Sequence, residues 1–318
     1  MSPSPALPPA VSGERIEFDS PAGRLSCYTA CPDVTAPVTG APPLLLVHSV
    51  NAAGSAYEVR PLYEHYRARR VVFAPDLPGF GFSDRSERRY TPRLMTDAVL
   101  AMAREIRRLH GEAPVDALAL SLGSEFLARA AAEAPELFRT LALVSPTGFN
   151  GTRPRVGPPG SDRGMGWLYR AFTFPPWSRG FYNLLTRPGS IRFFLEKTWG
   201  TKAIDEGLWA YDCITTRQPG ARHAPFWFVS GYLFSGDIAR VYDALRHPVW
   251  MSHGVRGDFT DYRQKARYEG RPNWSFREFP TGALPYFELP DEFVAAYDAF
   301  LAAAQAGGFT ASMSAETT

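Results

Sequence analysis

Lysine is scarce in this sequence, and so are cysteine and any imbalance of charge. Lysine occurs only at Lys197, Lys202 and Lys265 of 318 residues, which leaves few positions for a lysine base. The formal net charge is +2 with no basic block to concentrate a field. Attraction to nucleic acid or to an anionic membrane surface is therefore not expected. Cys27, Cys31 and Cys213 have neither metal-ligand spacing nor the even count of a disulfide framework. They read as reduced thiols of a soluble, cytoplasmic protein, with Cys27 and Cys213 as small apolar residues. No apolar run approaches the roughly 20 residues of a membrane helix. The opening MSPSPALPPAVSGER has no charged n-region and no apolar h-region, so no signal peptide is expected. No motif for a metal or an organic cofactor occurs, and none is expected.

What is present is a core. Apolar residues make up 45% of the chain and charged residues 21%, enough for one large α/β domain with an insertion. RIEF and RLSCYTA flank DSPAG as a hairpin. PLLLVHS, RRVVFAPD, VDALALS and RTLALVS are apolar runs of the kind buried on both faces of a parallel sheet. Between them, YTPRLMTDAVLAMAREIRRLHG begins with a Thr91 cap and Pro92, repeats Leu94, Ala98, Met102 and Ile106 on one face, and stops at Gly111. HPVWMSHG, WSFREF and the helix PDEFVAAYDAFLAAA follow near the end. Strands alternating with helices predict a mostly parallel, twisted sheet covered on both faces.

The alternation stops over residues 151–240. That stretch opens with GTRPRVGPPGSDRGMG and carries five of the seven tryptophans. It is expected to form a helical cap, its aromatics serving partly as core and partly as the roof of an apolar pocket. The core is then 14–150 and 241–304, with disordered tails at 1–13 and 305–318.

LALSLGSEF runs a strand into a helix with Ser121 at the junction. A nucleophile on such a strained corner needs small residues two positions away on each side, and Ala119 and Gly123 satisfy this. Ser124 fails, between Leu122 and Phe126. The competing reading is a serine that only caps the helix.

With these residues the chain resembles the cap-bearing branch of the α/β-hydrolase fold superfamily, the serine-nucleophile type. LLLVHSVNAAG looks like the family's His-Gly loop, with Ser49 in place of the glycine; DLPGFGFSD and ELPDEF match further signatures. The resemblance implies an oxyanion hole made by the main-chain N–H groups of Val50 and Leu122. It implies a structural rather than catalytic His48. It places the triad acid at Asp258, with Asp261 as second choice. The same resemblance puts a histidine in FPTGALPYFELPDEF, where this chain has Ala283. Substitute bases or pocket residues are His223, in the cap, and Tyr286, although a phenol with a pKa near 10 is a weak base.

Without a base, Ser121 keeps its proton at neutral pH. The expected function is an enzyme acting on a small, largely apolar substrate, ester or C–C bond hydrolase-like, with a degenerate Ser-Asp-(His) triad. The alternative is a non-hydrolytic catalyst of the same fold (cyclase, lyase or isomerase) or a ligand-binding pseudoenzyme.

Overall fold

The computed structural model describes residues 5–31, 40–257 and 261–308. Eight strands form one sheet in the order β1-β2-β4-β3-β5-β6-β7-β8. The hairpin is β1 (Glu14–Ser20) and β2 (Gly23–Ala30), antiparallel, with β2 antiparallel to β4 (Val72–Asp76). From β4 onward the sheet is parallel: β3 (Leu44–Val47), β5 (Val115–Leu120), β6 (Phe138–Val144), β7 (Val249–Gly254) and β8 (Trp274–Phe279). Every residue of β3, β4, β5 and β7 is buried, as expected of runs covered on both faces.

Helices cover both faces. On one lie α2 (Pro92–His110) and α3 (Gly123–Glu133). On the other lie α1 (Arg60–Tyr66), α10 (Pro285–Glu288) and α11 (Pro290–Gln305). Helix α2 starts as its sequence dictates: Thr91 Oγ1 accepts the Leu94 N–H at 3.2 Å, and Ala98, Met102 and Ile106 are buried. Between β6 and β7 stand six short helices: α4 (Gly166–Thr173), α5 (Pro175–Leu185), α6 (Pro188–Trp199), α7 (Glu206–Thr215), α8 (His223–Val229) and α9 (Ile238–Asp243). Their aromatics divide between two roles. Phe172 stacks on Phe181 at 4.3 Å and Tyr169 on Trp227 at 4.0 Å, whereas Trp167 stays 66% exposed.

The amino-terminal stretch departs from the expected tail. Ala10 and Val11 are buried, and the Ala10 N–H donates to Tyr28 Oη at 3.0 Å. Pro8 O accepts from Tyr211 Oη at 3.1 Å, and Pro5 O accepts from the Gln218 amide at 2.8 Å. Small and proline residues read as a tail by composition, but their slight bulk fits a seam between core and cap. Prolines also lose little chain entropy on docking. At the other end α11 runs to Gln305, and residues 309–318 lie outside the described residues.

Candidate active site

The junction between β5 and α3 is a tight corner. Ser121 has a φ of 50°, in the left-handed region that side-chain-bearing residues rarely occupy. Its N–H donates to Val144 O at 2.8 Å, which fixes the corner to β6. The close approach explains the small neighbours. A Cβ on Gly123 would stand 2.5 Å from His48 O, and Ala119 is wholly buried.

Ser121 opens onto a cavity of about 390 Å³ between core and cap. Val50 and Leu122 also line it, and neither main-chain N–H is used in a hydrogen bond with another described residue. The loop that carries Val50 is held by hydrogen bonds to Glu58 and within itself. Glu58 accepts the Ser49 N–H at 2.7 Å and the Asn51 side-chain amide at 2.6 Å, while Asn51 Oδ1 accepts the Ala53 N–H at 2.6 Å. Leu185, Ile191, Phe194 and Leu195 from α5 and α6, with Leu208 and Phe228, give the cap side of the cavity its apolar wall.

His48 is committed elsewhere. Its Nε2 accepts the Leu77 N–H at 2.8 Å and its Nδ1 donates to Ser49 O, so both ring nitrogens are occupied. Burial lowers its pKa, and the ring is neutral. None of the six histidines lines the cavity. His223 is the first residue of α8, partly exposed, its pKa lowered by burial. His253 stacks on Tyr262 at 4.0 Å beside an outer groove.

Ala283 does line the cavity, as Ser121 does. Its peptide is clamped on both sides. Its N–H donates to Thr198 O at 2.9 Å, and its carbonyl accepts from Ser145 Oγ at 2.7 Å. Tyr286 does not line the cavity: it is wholly buried and its hydroxyl donates to Glu58 O at 2.9 Å. Asp258 lies outside the described residues. Asp261 accepts the Gly151 N–H at 2.9 Å, pairs with Arg263 at 3.1 Å, and borders the outer groove rather than the Ser121 cavity.

Two carboxyls that sequence reasoning did not single out also face the cavity, Glu58 and Asp212. Glu58 stands on the short turn Ala56–Val59 and Asp212 on α7; each is only 5% exposed. Burial pushes the Glu58 carboxyl up to about 7, against the two hydrogen bonds it accepts. Burial first, and then the Glu58 charge, pushes Asp212 well above the carboxylate range. A charged residue inside LWAYDCIT, an otherwise apolar cap helix, was the one available signal.

The comparisons with known proteins agree with this architecture. The family described as "alpha/beta hydrolase fold" matches residues 42–194. No curated protein matches the chain. A probable hydrolytic enzyme from Pseudomonas aeruginosa PAO1 is 20% identical, with 91% of this chain and 93% of that one covered at a TM-score of 0.66. The chain has the α/β-hydrolase fold. A meta-cleavage product hydrolase from Pseudomonas fluorescens IP01 is 14% identical over 91% of this α/β-hydrolase-fold chain and 98% of its own, with a TM-score of 0.66. The Cif epoxide hydrolase from Acinetobacter nosocomialis is 17% identical over 91% and 88%, with a TM-score of 0.63. At such identities the likeness establishes the fold. Among the described residues no helix is long and apolar enough to cross a membrane.

Proposed function

We propose that this α/β-hydrolase-fold chain is an enzyme that acts on an ester, or on a C–C bond beside a carbonyl, in a small and largely apolar substrate. One observation carries the reading: Ser121 at its strained corner shares an apolar-walled cavity with the unused N–H groups of Val50 and Leu122. A carbonyl oxygen held between such donors gains negative charge as attack proceeds, and each donor is worth about 3–4 kcal/mol in the transition state. In this reading Asp258 is the acid and Ala283 the histidine position of an incomplete triad, and residues 151–240 act as the cap. With alanine at 283, Ser121 keeps its proton and binds the substrate as a hydroxyl rather than attacking as an alkoxide. His223 and Tyr286 stay secondary candidates as base, because neither lines the cavity. The reduced state proposed for the cysteines fits a cytoplasmic site of action.

A second reading, a non-hydrolytic catalyst or a ligand-binding pseudoenzyme, is favoured by the absence of any histidine from the cavity lining. p-Nitrophenyl acetate, butyrate and octanoate separate the two. The first reading expects release of nitrophenolate above the buffer rate, best with the acetate or butyrate and reduced in a Ser121→Ala variant. A chain inert toward all three esters overturns the ester part of the first reading and favours the second.

A further inference from the structure

The Ser121 cavity lacks an imidazole, yet it holds two carboxyls whose burial nothing positive offsets. Glu58 and Asp212 come from different elements, one from the core turn beside the Val50 loop, the other from helix α7. Neither forms an ion pair with a described residue. Asp212 is 95% buried by the complement of its 5% exposure, and its Oδ1 has no hydrogen-bond partner. A buried polar oxygen left unpartnered is costly, so its place in a cavity wall points to a ligand group that meets it.

We propose that Glu58 is the base of this cavity and Asp212 its partner carboxyl, together doing the proton transfer for which no histidine is present. The proposal rests on the reading that a carbonyl oxygen lies between Val50 and Leu122, and it names the group that activates the attacking water. The Glu58 carboxylate takes a proton from water as the water oxygen bonds to the carbonyl carbon. The carbonyl π pair moves to oxygen, facing the two N–H groups. Collapse reforms the carbonyl and breaks the bond to the leaving group, which takes the proton back from Glu58.

The surroundings support this division of labour. Glu58 is pushed up to about 7, which makes it a base strong enough to act near neutrality, and burial followed by the Glu58 charge raises Asp212 well above the carboxylate range, which favours its protonated form. Two like charges side by side are disfavoured, so the pair carries at most one charge in this range. The other titratable groups around them are Tyr57 on the same turn, Tyr286 from α10 and Cys213 beside Asp212. Burial raises all three, which keeps them neutral in that window. Arg256 lines the cavity too, but its guanidinium is paired with Glu288. The assignment is of a catalytic base, and its substrate class is a carbonyl compound with an apolar body.

The test uses 5-nitrobenzisoxazole, a small apolar carbon acid opened by one base. The base takes the ring C–H proton, the C–H pair becomes part of a nitrile, and the N–O bond breaks to leave a coloured cyanophenolate. No nucleophilic serine is involved. The full chain should open it faster than acetate in buffer, with the rate rising through a pH of about 7, set by Glu58. Glu58→Gln should lower that rate at least about 100-fold. Asp212→Asn should keep the rise, because Glu58 sets it. Infrared spectra of the unaltered chain between pH 5 and 9 add a check that needs no variant: a protonated-carboxyl band should fade near neutrality. The proposal is overturned by a rate no higher than that of Glu58→Gln, by a profile without that rise, or by a band that does not titrate. Failure here with esters still hydrolysed leaves the hydrolase reading standing. Ester inertness with ring opening intact does the reverse.

Discussion

Glu58 illustrates a residue whose chemistry opposes the fold that holds it. Its carboxyl is raised from an ordinary value of 4.5 to about 7 by burial. Across that window the folded chain binds more protons at this site than the unfolded chain. Its contribution to stability therefore declines as pH rises, by about 3 kcal/mol in all. Replacing it with glutamine removes that dependence while keeping one acceptor for the Ser49 N–H. We predict that Glu58→Gln gains on the unaltered chain by about 3 kcal/mol between pH 4 and pH 8, measured as the difference in unfolding free energy by denaturant titration. A difference that stays flat with pH contradicts the burial argument. Ser121 was legible in the sequence, because small neighbours at two positions are a local requirement. Glu58 and Asp212 were not. Their environment is set by which apolar cap residues close over them, and that is a long-range fact.

At the scale of elements, the strand-to-helix corner fixes the site. Gly123 lets α3 approach the loop after β3 so closely that its Cα faces His48 O. That approach brings the Leu122 N–H and the Val50 N–H to one cavity. A Gly123→Ala methyl, 2.5 Å from His48 O, must push the two segments apart. The expected outcome is a loss of about 1–3 kcal/mol in stability. Ester turnover should fall at least about tenfold if, as proposed, the Leu122 N–H is an oxyanion donor that loses its aim. Thermal unfolding and p-nitrophenyl butyrate assays read both; unchanged values in both would show that the approach is not needed. The elements themselves were largely legible. β3 announces burial on both faces through an unbroken apolar run, β5 and β7 through mostly apolar ones, and Thr91-Pro92 announces the start of α2. The segment Pro5–Ser12 was not, since its anchors are partners far along the chain: Tyr28, Tyr211, Gln218 and Glu64.

For the whole molecule, the cap and core are tied around the cavity rather than merely stacked. Arg129 of α3 pairs with Asp237 at 2.5 Å, and Glu125 accepts the Ser235 N–H at 2.8 Å. At the opposite rim, Thr198 at the end of α6 accepts the Ala283 N–H, and a Cβ on Gly282 would lie 2.5 Å from Trp199 Cα. The loop that carries Ala283 is therefore held against the end of α6, in the wall of the cavity that Ser121 also lines. A hydroxyl in that cavity faces no imidazole, and this is the claim on which the proposed chemistry depends. Labelling of Ser121 by a fluorophosphonate, followed by the mass of its peptide, tests it most directly. The unaltered chain should react slowly, and Ala283→His should speed the reaction at least about 100-fold by supplying a base. Rapid labelling of the unaltered chain, with no gain in the variant, would contradict the account.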